Sequence, residues 1–368
     1  MNALLPRLLI LCLALCIAGP LQAQDAKRKV IIDDEGFSLM HLMLLEAEDV
    51  EVLGLTTVSG NVWANRATAF ALRGLEIAGR SDVPVVQGAT YPLLNTEAMT
   101  DRWEALYGKL TWKGAWMKQW AEPTLQQTPV YHGPNDPVDL PGGNPATKPS
   151  AEIAANFLIR MVHLYPGQVT IIAGGPMTNL ALAQRLDPDF AGLAKELVYM
   201  GGSFNPRQML DNRSAAEFAR EFVNSPRREF NIRFDPEAAS IVSRSPWQKI
   251  TVVPVDPSTG AQLTADLLDR LKKAARPAIG QLIGGFETGF PLWDEIAAGV
   301  WLDPKIVTDR TTLFVDYNTQ FGAGYGDLLS WHEGYRPKLG EQPAEIVRSV
   351  DPARLEALMV RLLANSRK

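Results

Sequence analysis

Cysteine is almost absent from this 368-residue chain: Cys12 and Cys16 are the only two, both near the amino terminus. That excludes a disulfide framework or a cysteine-ligated zinc site for everything that follows. Histidine is equally scarce, at four residues. There is no excess of positive charge, since 36 Lys and Arg face 41 Asp and Glu for a net charge of −5. Such a chain lacks the basic field that nucleic acid or an anionic membrane surface selects. Phosphate-cradling motifs of the GxxxxGK[ST] or GxGxxG type do not accompany Gly201-Gly202, which reads as a tight backbone approach after a strand. The apolar content of 46% is that of an ordinary globular protein with a large core.

The first apolar run, Leu8–Ala18, is shorter than the roughly twenty residues of a membrane span. With Arg7 before it and Gly19–Ala23 after it, it reads as a secretory signal cleaved after Ala23, an uncleaved anchor being the alternative. Residues 24–368 then form an exported, cysteine-free domain, periplasmic or secreted, with no stable membrane insertion.

From Val30 onward, short all-apolar runs alternate with helical stretches. Val30–Ile32, Val50–Val58, Val83–Val86, Val169–Ala173, Leu197–Met200 and Ile250–Val255 read as strands buried on both faces. Leu39–Leu45, Val62–Ala78, Ala151–Leu164, Asn179–Arg185 and Ala265–Lys273 read as helices. The alternation predicts one α/β domain with a mostly parallel twisted sheet covered by helices on both faces, a Rossmann-like core. In such sheets ligands sit at the carboxyl ends of strands. Those ends carry Asp33-Asp34-Glu35, Asn61 and Gly175–Asn179. Three adjacent acids repel unless a cation sits among them, and hard oxygen donors suit Ca²⁺ or Mg²⁺. A solvated acidic turn, or the nucleophile of an aspartyl-phosphate phosphatase, would leave the same signature.

The segments VIIDDEG, VEVLGLTTVSGN, GPMTNLALAQRLDP, LVYMGGSF, EFNIRFDPEAA and PLWDEIAA, in this order between Lys29 and Ser330, resemble the inosine–uridine nucleoside hydrolase family. The resemblance implies a calcium-dependent enzyme that releases the base from a ribonucleoside, and a homodimer or homotetramer. It implies Asp34 as general base and shared ligand. Asp33, Glu35, the Thr178 carbonyl and Asp294 complete the metal set. Asn61, Glu229, Asn231 and the displaced Asn224 fall on sugar-contacting positions. The i, i+2 spacing puts Glu229 and Asn231 on one face if that segment is extended. The family's first motif, Asp-x-Asp-Pro-Gly-x-Asp-Asp, is shortened here by about three residues, so its final Asp pair has no counterpart and Glu35 competes for the vacant role. A member of the fold that binds nucleoside or ribose without turnover is the alternative this shortening raises.

Trp293 replaces a histidine that relatives use on the leaving base; it suits a stacking route, favouring purine nucleosides, or simply fills a wall. An aromatic-rich insertion at about 94–149 lies where the family has a mobile loop. Trp112, Trp116 and Trp120, four apart, predict one helical stripe, either a lid or a packing face. His132 resembles the family's loop histidine, while His41 and His163 lie within predicted helices.

Overall fold

The computed structural model describes residues 26–126, 130–210 and 213–366; the expected signal at 1–23 lies outside them. Among these described residues nine strands form one sheet in the order β3-β2-β1-β4-β5-β6-β9-β7-β8. These are β1 (Arg28–Asp34), β2 (Val50–Thr57), β3 (Val85–Gln87), β4 (Val169–Ala173), β5 (Glu196–Met200), β6 (Ile250–Val253), β7 (Val307–Tyr317), β8 (Leu328–Trp331) and β9 (Pro343–Val350). β1 to β6 and β9 pair in parallel; β7 pairs antiparallel with both β9 and β8.

β1 shows why the first six strands read as uninterrupted apolar runs. Val30 and Ile32 enter one apolar cluster with the helices Leu39–Leu45 and Trp293–Leu302, and Ile31 enters a second cluster on the other face. Successive side chains on a strand point to opposite faces, so a strand covered twice has no polar position until its end. The same pleat sends Asp33 and Asp34 to opposite sides where β1 stops.

Three expected elements differ. The helix expected from Ala151 begins at Ala154, and Ser150 Oγ accepts from the Glu152 amide outside it. The tryptophan stripe is not a helix. Trp103 lies on the helix Glu97–Tyr107, whereas Trp112 to Trp120 carry only the short 3₁₀ turn Gly114–Trp116. Gly114 has φ +56°, and a Cβ there would lie 2.2 Å from the Gly60 carbonyl oxygen, so the chain folds inward instead of continuing a helix. Glu229 and Asn231 do not share a strand either: Phe230–Phe234 is a short helix with Glu229 as its N-cap.

Candidate active site

The ends of β1, β4 and β5 open into a cavity of about 340 Å³. Its polar side carries Glu35, Asn61, Gly174, Asn231 and Asp294, and its aromatic side carries Trp112, Trp120, Phe218, Phe230 and Trp293. A site with hydrogen-bonding acids at one end and flat apolar rings at the other suits a ligand that is itself half polyhydroxyl and half aromatic ring.

Gly174 follows β4 between two buried carboxylates. A Cβ there would sit 3.0 Å from Asp34 Oδ1 and 3.2 Å from Asp294 Cγ, so bare backbone lets both acids approach. Asp34 Oδ1 accepts from the Glu35 amide at 2.7 Å. Asp294 Oδ1 is buried without a partner. Desolvation raises Asp34 to about 6, and desolvation followed by the charge of Asp34 pushes Asp294 well above the carboxylate range. Glu295, the next residue along, is raised by burial to about 7. Among the described residues no Lys or Arg forms an ion pair with Asp34 or Asp294; the basic side chain at Asp34 is His41.

His41 was set aside in sequence as a helical residue, yet the helix Leu39–Leu45 starts directly after the β1 turn and brings it back. Its Nδ1 accepts from the Ser38 amide at 3.1 Å, which puts the ring proton on Nε2, 3.6 Å from Asp34 Oδ2. Burial lowers its pKa to about 3, so the ring is neutral. The Ser38–His41 spacing of three at a helix start was the available signal.

The remaining expected residues separate into those at the cavity and those away from it. Asp33 lies on the opposite face from Asp34: its Oδ1 accepts from Thr56 Oγ1 at 2.5 Å and Asn179 Nδ2 at 2.8 Å, and it is fully buried. Burial raises it to about 7. A side chain so enclosed is a poor phosphatase nucleophile. Glu35 faces the cavity, but both oxygens are occupied: the Asn61 amide donates to Oε2 at 2.7 Å and Asn61 Nδ2 to Oε1. Glu229 caps its helix through the Asn231 and Ile232 amides and also accepts from Gly202 N; burial raises it to about 7. Asn231 Nδ2 donates to the Gly174 carbonyl at 2.8 Å, tying that helix to the end of β4. The Thr178 hydroxyl donates to Asp235 at 2.6 Å.

Asn224 does not reach the cavity. Its Nδ2 is used by the Arg220 carbonyl on its own helix, the consequence of a helix Arg213–Asn224 that sequence reading did not foresee. His132 is also outside the lining; its carbonyl accepts from Trp63 Nε1 and its ring meets the Gly133 carbonyl.

Among the described residues no three Asp, Glu, His or Cys side chains converge on one point to hold a metal. The donor chemistry nevertheless fits a hard cation, because Asp34 and the partnerless Asp294 oxygen form a buried anionic pair across Gly174. A parallel sheet with such a pair beside an aromatic cavity defines a small-molecule site of the strand-end type.

Comparison with known proteins makes the assignment narrower. The inosine-uridine preferring nucleoside hydrolase family model matches residues 30–357, and the chain belongs to this family, whose members are hydrolases acting on nucleosides. It is 38% identical over 241 residues to uridine nucleosidase 1 of Arabidopsis thaliana, covering 65% of this chain and 59% of that protein. It is 24% identical to the pyrimidine-specific ribonucleoside hydrolase RihB of Escherichia coli, covering 82% of this chain and 86% of that protein. A solved plant nucleoside hydrolase superimposes with a TM-score of 0.66 at 26% identity, covering 92% of this chain and 99% of the other.

Proposed function

We propose that this protein hydrolyses the N-glycosidic bond of ribonucleosides, releasing free base and ribose, with calcium as its cofactor. The observation that carries the reading is Asp294 lining a cavity with an aromatic wall, with Asp34 beside it behind the bare backbone of Gly174. Asp34 takes the proton of the attacking water; a base raised by burial to about 6 is matched to neutral pH. The water oxygen bonds to the anomeric carbon while the base leaves with the bonding electron pair. Positive charge grows on the sugar as that bond breaks, so the surrounding carboxylates stabilise the transition state. Asp34 and Asp294 would hold the cation, with the Thr178 carbonyl and Glu35 as further donors once Glu35 turns from Asn61. Calcium, when bound, supplies the positive charge that grips a diol and acidifies water.

Asn61, Glu229 and Asn231 face the sugar in this reading, and Trp293 with the other rings faces the base. The extent of aromatic wall favours purine nucleosides. Two named relatives are a uridine nucleosidase and a pyrimidine-specific hydrolase, while the family's name joins inosine and uridine, so these two are the substrates to compare. Hydrolysis of each by the full chain, followed by chromatography of the released base with and without chelator, tests the reading. Tight nucleoside binding with no turnover would favour a binding protein, the alternative raised by the shortened first motif. Export after cleavage at Ala23 and assembly as a homodimer or homotetramer are part of the proposal, checked by amino-terminal sequencing of the mature protein and by light scattering.

A further inference from the structure

The family reading leaves the departing base without a proton donor, because Trp293 holds the expected position and His132 lies outside the cavity. Among the described residues six acids line that cavity, and five are otherwise engaged or unsuited. Glu35 is held by Asn61, Glu229 caps its helix, and Asp294 belongs to the strand-end pair. Glu217 accepts from Thr124 Oγ1 at 2.7 Å and pairs with Arg220. Glu287 is exposed.

Glu221 is different. It lies on the helix Arg213–Asn224, one turn after Phe218, and both residues line the cavity. Its Oε1 is buried and has no partner within hydrogen-bond distance among the described residues. Arg233 Nη2 is 3.6 Å from that oxygen but already donates to the Trp112 carbonyl at 2.6 Å. The Arg233 guanidinium also lies 5.5 Å over the Phe230 ring, so Glu221 stands at the aromatic end of the site. Its charged neighbours are Arg233 and Glu229, not the Asp34–Asp294 pair.

We infer that Glu221 donates the proton to the departing nucleobase. The inference rests on the nucleoside hydrolase reading and adds a residue to it. As the bond from the anomeric carbon to the ring nitrogen breaks, the base takes the bonding pair and a base nitrogen takes the Glu221 carboxyl proton. The water oxygen bonds to the anomeric carbon and gives its proton to Asp34. Ribose and neutral base leave, and solvent water carries the proton from Asp34 back to Glu221. Burial raises the Glu221 carboxyl above its usual range, outweighing the neighbouring Arg233, in the direction a proton donor needs. The guanidinium of Arg233 then stands beside the carboxylate that forms, which lowers the cost of giving the proton up.

The test compares two leaving groups in the full chain with calcium present. Inosine releases a base that needs a proton; 4-nitrophenyl β-ribofuranoside releases a stable phenolate that needs none. Glu221→Gln should lower kcat on inosine by roughly 10²-fold or more, as loss of a general acid does, and leave the nitrophenyl riboside within about threefold. Retained nitrophenyl cleavage also shows that the variant is folded. Equal losses on both substrates, or an unchanged rate on inosine, would overturn the role of Glu221 while the nucleoside hydrolase reading stands. A wild-type chain that cleaves neither substrate would overturn both.

Discussion

Trp112 Nε1 donates to Asn61 Oδ1 at 2.5 Å, and this one bond ties the aromatic insertion to the catalytic floor. With its oxygen facing Trp112, the Asn61 amide must turn its nitrogen to Glu35. The insertion is also anchored by its backbone, since Ala115 N donates to the Gly60 carbonyl at 2.8 Å. Trp112 is therefore part of the sugar end of the site as well as its aromatic wall. Trp112→Phe keeps a ring but loses the donor. We expect KM for nucleoside to rise about tenfold with kcat little changed, the worth of roughly one hydrogen bond. Steady-state kinetics on inosine checks this, and an unchanged KM would deny the link.

Gly114 is the hinge of that anchoring. Its φ is +56°, and a Cβ would fall 2.2 Å from the Gly60 carbonyl oxygen, which leaves no room for a side chain. Gly114→Ala should destabilise the fold by about 2 kcal/mol, measured by urea unfolding, and should raise KM as Trp112 shifts. A variant of native stability and KM would show that the turn relaxes freely.

Asp34→Asn removes the proposed base. Its kcat should fall by about 10²–10⁴ in saturating calcium, and inosine binding in equilibrium dialysis should weaken with the loss of the cation that grips the sugar. His41 acts through Asp34, its Nε2 proton being aimed at Oδ2. His41→Leu should lower kcat about tenfold, a difference of roughly 1.4 kcal/mol in the barrier. His41→Gln, which carries a donor to a similar place, should recover part of the loss. Equal effects of Leu and Gln would reduce His41 to packing.

Much of the fold was legible in the sequence because parallel strands covered on both faces are written as unbroken apolar runs. β7 was not, since its first half is largely exposed and carries Thr308, Asp309, Arg310 and Thr311. The acidic strand end, Asn61 and Asp294 were legible from topology and motif order. What escaped was decided by local geometry that spacing does not encode. Gly114 folds the tryptophans inward, and Glu229 caps a helix, so the condition of an extended segment at Glu229 and Asn231 is not met. The helix Arg213–Asn224 turns Asn224 away and delivers Glu221.

Stability should depend on pH in a direction set by the buried acids. Burial raises Asp34 to about 6 and Asp33, Glu229 and Glu295 to about 7, above the values of an unfolded chain near 4. These four acids hold more protons folded than unfolded between about pH 4 and 7, outnumbering the one proton that buried His41 gives up on folding, so stability is greatest at the acid end of that window and falls as pH rises through it. In chelator, the protein should melt at a lower temperature at pH 7.5 than at pH 5.5. Added calcium should restore the loss at pH 7.5 by roughly 5 °C or more. Melting curves that are flat with pH and indifferent to calcium would contradict this.

The central claim is that Asp34 and Asp294 together hold one hard dication. Isothermal titration calorimetry of calcium into the metal-stripped full chain tests it most directly. The account predicts one ion bound per chain, with binding lost in both Asp34→Asn and Asp294→Asn. Absence of binding in the wild type, or affinity unchanged in either variant, would contradict it.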